Sequence, residues 1–317
     1  MYKYLWIFLM SSICFSQTSI EKAEAFIVKK EFKNAQNEMT TFLKTKPEDK
    51  QAIELLGDVY GYQKNWDEAI ELYKTLTKKQ PNSANYQYKF GGALGMKALS
   101  INKLKALGII GDVKSAFLKA AELDPKHVDA RWALVELYVS LPGIVGGSFS
   151  KALKYAEELQ KLSEVDGYLA KGYVYEYDDE PELAEKYYKQ AIQVGGSVTC
   201  YEKLTNFYEG QNEPEKAIGN LENAQNRLQR NAMHYQIGKV CADYNLQLDK
   251  GEKCLKAYLS HYSSKDGVPK AWAYYRMAQI YKHKKEKIEA LKWIDKAISG
   301  LPEIEVFKDE KLTISRL

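Results

Sequence analysis

One of the two densest glycine runs in the chain is LPGIVGGS, at 141–148. Glycines let backbone N–H groups approach an anion, and such a run opening a helix can cradle phosphate. A P-loop, however, follows a strand and carries Gly-Lys-Ser/Thr. This run has neither, so it is predicted to be a connector. Pro142 and Gly143 end one helix, Gly146 and Gly147 turn the chain, and Ser148 or Ser150 caps the next helix through its hydroxyl.

Other reactive residue types are scattered. His127, His234, His261 and His283 lie in different segments and are read as surface residues. Asp178-Asp179-Glu180 reads as a solvated turn, because a calcium site needs more oxygen ligands from a set loop. Lys282-His283-Lys284-Lys285 reads as an exposed basic turn. Cys200, Cys241 and Cys254 form no C-x-x-C motif, and their odd number leaves at least one unpaired. Cys241 and Cys254 could face each other across one helical hairpin. No H-E-x-x-H or G-x-S-x-G occurs. The expectation is no catalytic residue, no metal and no cofactor.

Composition narrows the partners. Of 317 residues, 46 are basic and 42 acidic, a net charge of +4. That balance, carried mostly by Lys, lacks the concentrated positive charge of a nucleic-acid binder. The opening MYKYLWIFLMSSICFS reads as a signal peptide, residues 1–16, cut before Gln17: Lys3 starts it and Leu5 to Met10 form its apolar stretch. That stretch is too short for a spanning helix. A periplasmic or secreted protein is expected, with no stable membrane span after cleavage.

The elements follow from a repeat. Ala23, Gly57 and Gly91 are 34 residues apart, as are Ala35 and Ala69, and Pro47 and Pro81. A fixed period with small residues at set phases predicts stacked helical hairpins. Helices approach closely only where a small side chain meets the facing helix. The first-helix small position continues through Val135, Gly172, Thr205, Gly238 and Ala278. The second-helix one continues through Val113, Ala152, Ala184, Ala217, Gly251 and Ala290. Val113, Val135 and Thr205 depart from the pattern. Tyr60, Tyr73, Tyr138, Tyr175, Tyr188, Tyr208 and Tyr281 fall at core phases. The spacing lengthens twice, near 97–111 and at 141–148. The first insertion is expected to be a longer first helix plus a loop.

The order Leu56-Gly57, Tyr60, Trp66, Ala69, Tyr73, Leu76, Pro81 resembles the tetratricopeptide repeat (TPR) family. The two insertions are similar to those of exported bacterial proteins with a PG-x-x-GGS loop. The resemblance implies an all-α, right-handed α-solenoid of about eight hairpins over 17–302, with a capping helix at 303–317. It also implies ligand binding on a concave face made by first helices. Inward phases there are Tyr62, Tyr88, Trp132, Glu136, Tyr173, Tyr177, Asn206, Tyr235, Lys239, Trp272, Tyr275, Arg276 and Gln279. These rings either recognise a partner or pack within a tight superhelix. Glu54 and Glu202 stand where the family's carboxylate clamp wants Lys, so that function is not carried over. The expected role is a non-enzymatic scaffold for a protein or peptide. A small-molecule carrier serving a transporter is the alternative, and an enzyme the remote one.

Overall fold

A computed structural model describes residues 19–317; the expected signal peptide lies outside the described residues. The described chain is helical, with no strand. A first helix, α1, covers 19–28. It pairs with α2 (Phe32–Thr45), and α3 (Lys50–Tyr62) pairs with α4 (Trp66–Lys79). Next come α5 (Ala84–Ser100) with α6 (Lys103–Leu123), and α7 (Val128–Ser140) with α8 (Phe149–Leu162). These make one unit, ending at Ser163. The second unit begins at Glu164. It holds α9 (Glu164–Tyr177) with α10 (Pro181–Val194), α11 (Val198–Gly210) with α12 (Pro214–Leu228), and α13 (Asn231–Asp243) with α14 (Leu248–Ser260). The last hairpin is α15 (Lys270–His283) with α16 (Lys287–Gly300), followed by α17 (Glu305–Ser315). Within each unit, hairpins stack in sequence order as an α-solenoid.

The small positions mark where paired helices touch. A Cβ on Gly57 would lie 2.8 Å from the Tyr73 ring, and one on Gly91 would lie 2.9 Å from Phe117. Gly238 stands in the same relation to Leu255, at 2.4 Å. Where Thr205 replaces glycine, the site has become polar. Asn220 Nδ2 donates to Thr205 Oγ1 and to the Tyr201 carbonyl, each at 2.9 Å. A buried hydroxyl is thereby satisfied rather than stranded. Tyr73, Tyr138, Tyr188, Tyr208 and Tyr281 are buried, and Tyr60 and Tyr175 are half-buried.

Six of the eight hairpin junctions share one turn. Lys30, Lys64, Asp179, Asn212, Asn245 and Lys285 each have positive φ. The next residue's N–H returns to the carbonyl five positions earlier, as in Asn65 to Tyr60 and Glu286 to Tyr281, both 2.9 Å. This is a Schellman closure, which satisfies carbonyls left open at a helix end.

The two exceptions are the insertions. At 97–111 the structure corrects the expectation of a longer first helix plus a loop. Both helices lengthen, α5 to 17 residues and α6 to 21, and only Ile101 and Asn102 separate them. Asn102 caps α6, its Oδ1 accepting from Lys105 N at 2.9 Å, so the helix starts early. At 141–148 the chain folds on itself. Val145 and Gly147 N–H donate to the Pro142 carbonyl, Gly146 N–H to Gly143, and Ser148 N–H to Tyr138. Ser148 then caps α8. Because those amides bond within the loop, they leave no cradle for phosphate.

Candidate functional site on the first-helix faces

In the first unit, Tyr88 projects from α5 between its partner α6 and the start of the next hairpin. Its ring meets Phe117 at 6.0 Å and His127 at 5.1 Å. Burial raises its hydroxyl pKa, helped by the nearby Asp129 and Glu136 carboxylates. Trp132 is half-buried on α7 and Glu136 exposed. Tyr62 stacks on Phe32 at 5.3 Å. Lys89, one residue past Tyr88, reaches back to α3. Its Nζ lies 2.7 Å from both Glu54 and Asp58. Burial opposes the charge on Lys89, but these carboxylates outweigh it and raise its pKa.

In the second unit the same geometry forms a longer ladder. Glu209 on α11 accepts from Lys239 on α13 at 3.0 Å. Lys239 also pairs with Asp243, one turn on, at 3.2 Å. Asp243 pairs in turn with Arg276 on α15. Arg276 donates to Gln279 at 2.8 Å, and Gln279 donates to the Tyr275 hydroxyl at 3.1 Å. Burial penalises the Lys239 charge, yet Glu209 and Asp243 hold its pKa above the ordinary lysine range.

The aromatic candidates divide. Tyr235 and Tyr275 are each only 6% exposed and belong to the core of the second unit. Tyr235 packs on Tyr258 at 5.4 Å. Tyr275 stacks on Phe307 of α17 at 5.1 Å, and Trp272 meets the same ring edge-on at 4.9 Å. Tyr173 and Tyr177 contact each other at 4.7 Å on α9, and Tyr177 is 55% exposed. Asn206 is exposed on α11. Lys239, Arg276, Gln279, Tyr275 and Trp272 are therefore brought together, and Tyr173 pairs with Tyr177. The carboxylates Glu54, Asp58, Glu209 and Asp243 were missed as site residues. A spacing of 30 to 35 between opposite first-helix charges, such as Glu209 to Lys239 and Asp243 to Arg276, is the signal that finds them.

The scattered groups include two neighbouring pairs, Cys241 with Cys254 and His234 with His261. Cys200, Cys241 and Cys254 are free thiols, so Cys241 and Cys254 form no bridge. Two histidines are less peripheral than expected: His127 Nδ1 caps α7, and His283 Nε2 bonds the Ala242 carbonyl at 3.0 Å. Among the described residues, no cluster of His, Cys, Asp and Glu is arranged to hold a metal ion. No described helix is long and apolar enough to cross a membrane.

Residues 52–84 match one tetratricopeptide repeat model, and residues 165–194 and 273–299 match another. These three segments are therefore similar to tetratricopeptide repeats. A crystal structure of a tetratricopeptide repeat protein from Parabacteroides merdae matches 95% of this chain and 98% of its own length, with TM-score 0.52 and 15% identity. At that identity the likeness concerns the fold. MamA matches at TM-score 0.44 and 22% identity, over 56% of this chain and 90% of its own. YrrB, described as a TPR protein with an unusual peptide-binding site, matches at TM-score 0.41 and 20% identity, over 64% of this chain and 98% of its own. No curated protein matches.

Proposed function

We propose that this tetratricopeptide repeat chain is a non-enzymatic interaction scaffold. It takes an extended protein or peptide segment on its first-helix faces and works outside the cytoplasm after export. The observation that carries this reading is the ladder Glu209–Lys239–Asp243–Arg276. Donors and acceptors alternate along it across three successive first helices. Held by one another, these side chains lose little freedom when a partner binds, which favours affinity. The ladder is neutral overall. It therefore suits an extended main chain and mixed side chains better than a bare terminal carboxylate. Tyr173 and Tyr177 on the neighbouring first helix supply apolar contact area.

Affinity capture with the wild type, Tyr173→Ala/Tyr177→Ala and Asp243→Asn tests the surface. Both variants should recover markedly less of any wild-type partner. Equal recovery by all three would refute the first-helix face. Export is tested separately by N-terminal sequencing of the mature protein, with Gln17 as the expected first residue. A mature chain that keeps residues 1–16 would refute it.

A further inference from the structure

Most of the large apolar side chains that the first unit leaves in solvent gather on one edge. In antiparallel hairpins stacked in order, all first-to-second-helix junctions lie on the same edge. On that edge the α5–α6 hairpin is the outlier. Against the 14 residues of α4 or α8, the 21 of α6 carry its end about 10 Å further. Leu99 and Leu104 flank the break and are 80% and 83% exposed. Leu107 follows, half-exposed, one turn along α6. From the adjacent junction, Ile144 stands 97% exposed. A Cβ on Gly146 of that loop would lie 3.5 Å from the Lys114 Nζ of α6, so the loop runs beside that helix.

Lysines outnumber carboxylates around this tip, where Asp67 pairs with Lys97. Between Glu71 and Asp112 the sequence holds seven lysines and no carboxylate, in a chain that has 42 acidic residues among 317. Lys103 and Lys105, exposed in the first turn of α6, form no ion pair among the described residues. They also sit at a helix N-terminus, where a positive end favours anions.

We propose that this edge docks on an anionic lipid surface, with Leu99, Leu104, Leu107 and Ile144 entering the acyl boundary and Lys103 and Lys105 meeting headgroup phosphates. A projecting tip offers no groove to enclose a protein partner. Exposed leucines flanked by Lys103 and Lys105 instead match the boundary between acyl chains and anionic headgroups.

Vesicle flotation of the full chain tests this. Phosphatidylglycerol-rich vesicles should carry the wild type, and phosphatidylcholine vesicles should not. Leu99→Asp/Leu104→Asp and Lys103→Glu/Lys105→Glu should each cut flotation by roughly tenfold or more. These side chains are solvated, so thermal melts should match the wild type. Hydrogen exchange should slow at 96–110 when phosphatidylglycerol vesicles are added. Absent flotation, flotation unchanged in both variants, or protection confined to other segments would overturn the proposal. So would a self-association that Leu99→Asp/Leu104→Asp abolishes while wild-type protein leaves vesicles unbound.

Discussion

The ring of Tyr188 occupies the space that a Cβ on Gly172 would need: the two would lie 2.6 Å apart. Tyr188 is wholly buried, and its hydroxyl donates to Glu176 at 2.6 Å, so the ring is fixed at both ends. Glycine at 172 is the condition for α9 and α10 to meet.

Gly172→Ala should therefore destabilise the second unit. Overpacking a buried contact costs about 1–3 kcal/mol, offset by about 1 kcal/mol of improved helix propensity. A net loss of up to about 2 kcal/mol in urea unfolding is expected. A variant as stable as the wild type would show that the ring can move.

The connecting loop offers a sharper contrast. A Cβ on Gly147 would lie 1.7 Å from the Leu141 carbonyl oxygen, whereas one on Gly143 meets open space. Gly147→Ala should cost more than about 2 kcal/mol, because backbone must move, and Gly143→Ala should be close to neutral. Thermal melts of the pair decide this, and equal melting temperatures would contradict the loop geometry.

Acid should weaken the second unit through Glu252. Burial works against its ionisation, but hydrogen bonds from Lys256, Lys284 and Tyr281 outweigh it and bring its pKa down to about 2. A depressed pKa means stability that is present above the ordinary carboxylate range and lost as pH falls towards 2. Glu252→Gln should lose about 1–2 kcal/mol at pH 7, after allowance for solvent screening of the pairs. Its stability should also fall less steeply below pH 5. Parallel pH curves for variant and wild type would rule the network out.

Thiol reactivity should separate native from unfolded chain. Burial, together with the neighbouring Cys254, pushes the Cys241 thiol up to about 12. At pH 8 iodoacetamide should leave Cys241 unmodified in the native protein and label it in denaturant, since the thiolate is the nucleophile. Peptide mass mapping reads the outcome, and rapid native labelling would contradict the packing. The same raised pKa makes stability fall as pH climbs from about 9 towards 12.

The repeat was legible because its rule is local: a small residue must face a large one, as Gly57 faces Tyr73. Phase along a helix also placed Lys239, Arg276 and Tyr275 on one face. It did not say how far neighbours reach. Tyr275 lies on that face yet is buried, because α17 brings Phe307 against it. The length of α6 was hidden because ALSINKLKALGIIG suits loop or helix, and one cap at Asn102 decides. Thr205 broke the pattern in sequence but not in space, since Asn220 supplies its missing complement from the paired helix.

The six shared junction turns hold left-handed backbone on lysine, asparagine or aspartate, never on glycine. L-residues pay about 1 kcal/mol for that conformation. The array is thus built with slack at every ordinary corner, and the slack is modular. A glycine introduced at Lys64 relaxes one corner without touching any helix face, and the same exchange can be repeated at Lys30 or Lys285. Robustness in this molecule can be raised in increments along its margin while the surfaces that meet other molecules stay as they are.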